Sequence, residues 1–478
     1  MVNSFLHGVE TIEVLDGIRP VRINATGVPA FVGTAPLADP TAWPLNEPIL
    51  LRSQPRLAAT LGASGTLLAA INQAMAEGAG AMIVVRVASD ANPARQMSLI
   101  IGDPVLRTGC YALLNARSIL GVQPKTLAAP GFTALRPTTG ISAIAVTNGG
   151  TGNVVGQTKI NITGGTGSGA VATPVIDANG VLTGVVVTNP GVGYTNPQVQ
   201  ITGPGVGATA TATAALARNP VVAALLSIAP RLRAMVYADT PSTTPADAFA
   251  WRQDWGDMRL VPFFSDALVW SNDANAYIDL SQSASQAGLT SRVHHDNGFW
   301  YSPSNFELIG VGGVAVPVDV GPSDDSSTAN YLNENAVNTI VNFGGNYAGY
   351  RRWGNRTTAA DPLWVFENVR RTADVVYDAL EEAYLWMVDK PFSLQLLLDA
   401  SAMGNRFMRY LVSQGALVGG KVWLDPERNS ASQLQQGVLA WDIDLEPPAP
   451  MEHIQIFAHR NGDYYTEQLA QFGALATV

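Results

Sequence analysis

The sequence predicts a multidomain protein of mixed α/β and α+β class. A central α/β domain is interrupted by an all-β, glycine-rich insertion and followed by a C-terminal α+β domain, with extended strand arms at both termini. Three observations lead there. Buried-strand runs alternate with helical stretches before residue 138 and again after residue 217. Between Thr138 and Ala217 the composition shifts abruptly to Gly, Thr, Val, Asn and Ala, with almost no charge. From Asp361 onward a long amphipathic helical pattern precedes a return to strands. At 478 residues the chain is too long for one ordinary core. The expected boundaries are an arm over 1–20, a discontinuous central domain over 21–137 and 218–345, the insertion over 138–217, the C-terminal domain over 346–460 and a second arm over 461–478.

In chain order, GVETIEVLDG (Gly8 to Gly17) has an imperfect strand alternation and precedes any globular segment. GVPAFVGTA reads as a buried strand, Gly65 to Glu77 as a helix and AMIVVRV as a second buried strand. The alternation continues through KTLAAPG, the helix Pro220 to Arg233, RAMVYAD and MRLVPFFSDALVW, and implies a mainly parallel sheet flanked by helices. Within the insertion VTNGGTG (Val146 to Gly152) recurs as VTNPGVG (Val187 to Gly193), and ITG at Ile162 recurs at Ile201. Two similar halves of β-branched runs and glycine turns follow. Asp361-Pro362 supplies an N-cap and a first-turn proline. Val365, Val369, Val376, Leu380, Ala383, Tyr384 and Met387 then mark a helix ending near Asp389. A second helix is expected from Ser393 to Gln414, and KVWLD follows Gly419-Gly420 as a strand. VLAWDIDLEP and HIQIFAHR read as two strands about the Pro447-Pro448 turn, and NGDYYTEQL as a last short extended segment.

Charged residues are only 14% of the chain, which leaves much uncharged surface for partners. A net charge of -10 with four lysines, Lys125, Lys159, Lys390 and Lys421, argues against nucleic acid as a partner, because backbone binding needs clustered cations. No export signal is visible at Met1 to Glu10, and no aliphatic run approaches the roughly 20 residues of a membrane span. Membrane insertion is not expected. The single cysteine, Cys110, can form neither an internal disulfide nor a thiolate metal site.

Constellations with chemical potential are few. GGTGSG (Gly164 to Gly169) lacks the Lys and Ser/Thr of a phosphate loop and reads as a turn of the repeat. His294, His295 and Asp296 have no third ligand at metal-site spacing, and a polar strand edge is expected. Cys110, at a helix start, has no neighbouring histidine to activate it. Asp378, Glu381 and Glu382 lie opposite the apolar stripe of their helix, where they are solvated or meet a partner. YRRWGNRT (Tyr350 to Thr357) could stack on single-stranded nucleic acid or anchor a protein interface, and the acidic balance favours the interface. No catalytic residue, cofactor or metal site is expected, and the reading is not that of an enzyme.

Read together, FLHGVETIEVLDGIRPVRINATGVPAFVGTAP, FWYSPSN, YLNENAVNTIV, GYRRWGNRT, DPLWVFENVRRTAD, GALVGGKVWLDPERN and PMEHIQI resemble the tail sheath family of contractile-tailed phages, shared with related injection systems. The resemblance covers nearly everything outside the insertion. It implies a virion-tail protein, made in the host bacterial cytoplasm, that forms hexameric rings stacked into a helical tube of identical subunits around an inner tail tube protein, meets baseplate and terminator proteins, and contracts to deliver a genome. It also implies an inward C-terminal domain, an outward insertion, and arms that add strands to neighbours. The arm residues would be Thr11, Ile12, Glu13, Val14, Leu15, Tyr464, Tyr465, Thr466 and Leu469. The receiving strands would carry Trp441, Ile443, Leu445, Ile454, Ile456 and Phe457, and the tube-facing helix Asp378, Glu381 and Glu382. Other readings are the sheath of a phage-derived bacteriocin or other contractile injection system, an α/β enzyme with a β accessory domain, and a glycan-binding surface protein. The second lacks any nucleophile elbow or dinucleotide fingerprint, and the third accounts for the insertion alone.

Overall fold

The computed structural model describes residues 21, 23, 25–271 and 274–475. The expected arm residues Thr11 to Leu15 lie outside them. The chain divides into two compact units at Pro448.

The first unit is organised by a six-stranded sheet with the order β12-β11-β4-β1-β3-β2. Its strands are β1 (Pro29–Thr34), β2 (Pro48–Leu51), β3 (Met82–Val87), β4 (Thr126–Ala128), β11 (Met235–Asp239) and β12 (Leu260–Phe263), the insertion supplying β5 to β10 between them. All pairings are parallel except that of β2 with β3. Both faces of the sheet are covered, which is why its strands are continuous apolar runs rather than alternating ones. One face buries Val32, Ile83, Val85, Leu127 and Val236 against the helix Pro220–Leu232. The other buries Phe31, Val84, Met235 and Phe263 with the helix Leu67–Ala76. The latter helix lies close to the helix Ser283–Asp296, because Gly288 has no side chain: a Cβ there would fall 2.6 Å from the Ala74 carbonyl oxygen. His294 and His295 sit in this helix and not on a strand edge. The small Ser, Ala and Gly residues of its first turns let the helix be buried there, with Gln286 donating to Gln282 Oε1.

The insertion consists of β5 (Gly140–Thr151), β6 (Lys159–Thr163), β7 (Ser168–Ile176), β8 (Leu182–Val192), β9 (Gln198–Thr202) and β10 (Val206–Ala215). The halves interlock: β10 pairs with β5, β9 with β6 and β8 with β7, all antiparallel. The repeat is visible down to its irregularities. The ladders shift register opposite Asn148/Val146 and opposite Asn189/Val187. In both halves the asparagine accepts from a glycine amide two residues on, Gly150 at φ +60° and Gly191 at φ +59°. Entry and exit are adjacent, with Ala217 N–H donating to Pro137 O at 2.9 Å. Asn219 fastens the exit by capping the helix Pro220–Leu232 and donating to Phe132 and Leu135 carbonyls.

In the C-terminal part the long helix is Glu367–Tyr384, prolonged by a 3₁₀ turn at Leu385–Met387. It starts later than Pro362 implies. Asp361 does accept from Leu363 N–H, but only a 3₁₀ turn follows, because Phe366 is extended and bridged to Arg356, while the Val365 carbonyl accepts from Thr357 N–H. Val375, Val376, Ala379 and Leu380 pack against Phe407, Met408 and Leu411 of the helix Leu394–Ser413 and against Val422.

The second unit, Ala449–Val478, corrects two expectations. HIQIFAHR forms no strand, since residues 450–461 carry neither helix nor strand. Tyr464, Tyr465, Thr466 and Leu469 lie in a helix, Asp463–Leu475, not in an extended segment.

Candidate functional site

Two features stand out: a buried ionic ladder joining the long helix to the central sheet, and a small sheet that has two strands among the described residues. The ladder begins at Glu367, fully buried in the first turn of the helix. Its carboxylate pairs with Arg352 at 2.5 Å and Arg371 at 2.7 Å and accepts from the Tyr237 hydroxyl. Arg371 also donates to Thr126 Oγ1 at 2.7 Å and Lys125 O at 3.2 Å. Burial alone would raise the pKa of Glu367, but the two guanidiniums overcome it and hold the group at about 2. Two turns on, Asp374 takes a bidentate grip from Arg259, at 2.6 and 2.9 Å, and a third bond from Arg370. Bidentate guanidinium pairing fixes geometry as well as energy. Next come Asp378, held by Lys125 and by Arg233 at 2.8 Å, and Glu381, held by Arg233.

The expectation that Asp378 and Glu381 present a free acidic face is therefore corrected. Both are bound to cations of the central domain, and Glu382 lies exposed beside them. The helix has two buried faces: the apolar one expected and a polar one that reads, in sequence, like a solvated surface. YRRWGNRT is likewise drawn inward. Arg352 is fully buried on the short strand Arg351–Trp353 and feeds the ladder. His294 faces the same cluster, with Nδ1 3.2 Å from Thr26 O. Burial, and then Arg371, push its pKa down to about 3. Cys110 is fully buried, and burial pushes its thiol well up, so the thiolate is suppressed. Among the described residues there is no metal-ligand cluster and no helix long and apolar enough to cross a membrane.

The small sheet pairs Gly419–Trp423 antiparallel with Asp442–Glu446, Val422 opposite Ile443 and Gly420 opposite Leu445. Val422 and the partly buried Leu445 and Trp441 face the helices. The other expected receiving residues, Ile454, Ile456 and Phe457, lie exposed in the second unit.

Comparison with known proteins places this architecture. A family model described as the phage tail sheath C-terminal domain matches residues 359–459, the span that holds the ladder helix and the small sheet. The tail sheath protein of Burkholderia phage BcepMu is 30% identical over 97% of this chain and 98% of its own length. A putative prophage major tail sheath protein of Pseudomonas aeruginosa (strain UCBPP-PA14) is 29% identical over 98% and 99%. In fold, the chain superposes on the anti-feeding prophage helical sheath in its contracted state with a TM-score of 0.59, at 17% identity, over 96% of this chain and all of that one. The sheath of an extracellular contractile injection system, also contracted, gives 0.58 at 15% identity, covering 97% and 99%. The class is that of structural subunits of contractile tails. The chain belongs to the phage tail sheath protein family.

Proposed function

We propose that this chain polymerises into hexameric rings stacked as a helical sheath around an inner tail tube protein, is held between baseplate and terminator proteins, and contracts to drive the tube through a host envelope during genome delivery. It would be made in the host cytoplasm and act in the virion tail. The observation that carries this reading is the pairing of two incomplete features. One is a two-stranded sheet, packed on the helices through one face, whose strand Asp442–Glu446 has no further strand beside it among the described residues. The other is a C-terminal unit whose Ile454, Ile456 and Phe457 are exposed in a stretch with no secondary structure. A strand from one copy added to the sheet of the next satisfies both.

The ladder supports the same reading from the other side. It welds the C-terminal helix to the central sheet, so that copies move as bodies while the arms carry the connection. The expected attachment of the tube to Asp378 and Glu381 is withdrawn, since those carboxylates are already engaged.

The test is truncation after Arg460 or after Pro448. Both products should remain folded with near-native thermal melts, and the shorter should form no tubes or rings in negative-stain images of concentrated protein. Tubes of normal width from the chain ending at Pro448 would sink strand exchange by the C-terminal arm.

A further inference from the structure

The two edges of the small sheet are not equivalent. In an antiparallel pair, residues alternate between exchanging hydrogen bonds with the partner strand and directing N–H and C=O outward. Val422 is of the outward kind, and its outward groups are already taken. The Asn405 side chain, from the helix Leu394–Ser413, donates from Nδ2 to Val422 O at 2.7 Å and accepts Val422 N–H on Oδ1 at 3.1 Å. A single amide thus imitates the two bonds that a neighbouring strand would make. The helix reaches this position because residue 404 is glycine: a Cβ there would lie 3.3 Å from a Val422 methyl and 2.3 Å from the Tyr384 hydroxyl. By the register Val422↔Ile443 and Gly420↔Leu445, the opposite edge directs the N–H and C=O of Ile443 and Leu445 outward. No side chain among the described residues is bonded to them in the way Asn405 is bonded to Val422.

We propose that Asn405 is an edge guard: it closes the strand Gly419–Trp423 to strand addition, so that a strand from a second copy can join only along Asp442–Glu446. The inference rests on the strand-exchange reading above and adds its direction. An unguarded two-edged sheet could take a neighbour on either side, giving branched or mis-registered polymers. One closed edge makes the addition polar, and repeated polar addition is what a single helical lattice requires. Asn405 is a positioning residue and not part of the interface.

The test is site-directed disulfide trapping in the full-length chain, made clean by the burial of the only native cysteine, Cys110. A cysteine is placed in turn at Ile454, Gln455, Ile456 and Phe457, combined with either Asp444→Cys or Lys421→Cys, which face each other across the small sheet. Adjacent strands lie about 4.8 Å apart and next-but-one strands about 10 Å apart, whereas a disulfide needs Cα atoms within about 7 Å. Asp444→Cys should therefore give intermolecular disulfides, and Lys421→Cys at least about tenfold fewer. Asn405→Leu, which keeps the volume but neither hydrogen bond, should raise the Lys421→Cys yield toward that of Asp444→Cys. Asn405→Asp, which keeps the acceptor for Val422 N–H, should fall between, and covers the case in which the leucine variant does not fold. Strong Lys421→Cys trapping with Asn405 intact, or no change in either variant, overturns the guard while leaving strand exchange standing. Absence of trapping at both reporters in assembled tubes removes strand exchange at this sheet, and the guard with it.

Discussion

Replacing Glu367 by glutamine removes one charge from the most buried rung of the ladder and leaves its shape. Arg352 and Arg371 would then face each other in a buried site, with Arg352 fully enclosed and Arg371 nearly so. The carboxylate titrates at about 2 against an ordinary 4.5, since the guanidiniums outweigh the burial that opposes them. At about 1.4 kcal/mol per pH unit, that preference for the ionised form corresponds to about 3 kcal/mol. Breaking a buried pair by removing one partner costs about 3–5 kcal/mol by the general record, which agrees. The expected result is a soluble protein whose urea midpoint by far-UV circular dichroism at pH 7 falls by that amount. The sign of the pH dependence follows from the depressed pKa. The contribution is complete above about pH 4.5 and is lost as the pH falls through the folded value near 2, so the gap between wild type and Glu367→Gln should close between pH 4.5 and 2. The triple variant Glu367→Leu/Arg352→Met/Arg371→Met, which removes all three charges together, should recover much of the loss. A variant within about 0.5 kcal/mol of wild type at pH 7, or a gap unchanged between pH 4.5 and 2, would refute the ladder as a structural latch.

His294 has the same sign of pH dependence, though here the neutral form is the one favoured: its folded pKa, about 3, lies below 6.5, so the unfolded chain gains the proton first and stability falls from pH 6.5 toward 3. His294→Gln should flatten that limb in a pH series of urea midpoints, and an unchanged slope would discount the buried neutral imidazole. Asp378→Lys should cost about 2 kcal/mol by leaving Lys125 and Arg233 without their acceptor, read as a lower melting point of the free subunit, and an unchanged melt would show the face to be dispensable. Exchanging residues 138–217 for a short Gly-Ser linker should leave a soluble chain, because Pro137 and Ala217 already touch, and insoluble product from every linker would count against this. Gly167→Ala should loosen the insertion by about 1–3 kcal/mol, since the new Cβ would fall 2.3 Å from the Tyr194 ring, and limited proteolysis within 138–217 should accelerate.

The central sheet was legible because each strand, buried on both faces, is a continuous apolar run such as MIVVRV or LVPF. The insertion was legible through composition and repeat, and even the glycines at positive φ fall where the repeat puts them. The ladder was not legible from the helix alone, because a polar face against another domain and a polar face against water have the same periodicity. A signal did exist in the strands. A cation precedes the buried runs of three neighbouring strands, Lys125 before Thr126–Ala128, Arg233 before Met235–Asp239 and Arg259 before Leu260–Phe263, and these cations meet Asp374, Asp378 and Glu381. The helix Asp463–Leu475 does not show in the window NGDYYTEQL, which ends at Leu469. Over a longer window, Tyr465, Leu469 and Phe472 recur at helical and not strand spacing.

The charges of the ladder, Glu367, Arg352, Arg371 and Asp374 among them, are buried, and the consequence concerns motion. A surface ion pair contributes about 0–1 kcal/mol and can be traded for water as a joint opens, so a joint made of such pairs yields gradually. The ladder cannot yield that way. Any partial withdrawal of the helix leaves Glu367, Arg352 or Asp374 buried without its partner, at several kcal/mol each, before water can enter to replace it. Intermediate positions are the costly ones, so the helix is either seated or fully released. In a sheath subunit that sets where a change of shape can occur. The central sheet and the C-terminal helices then travel together, and a displacement is left to the connections between copies. Strand pairing suits such a connection, because its hydrogen bonds lie in the backbone and survive a change in the angle between the bodies they join.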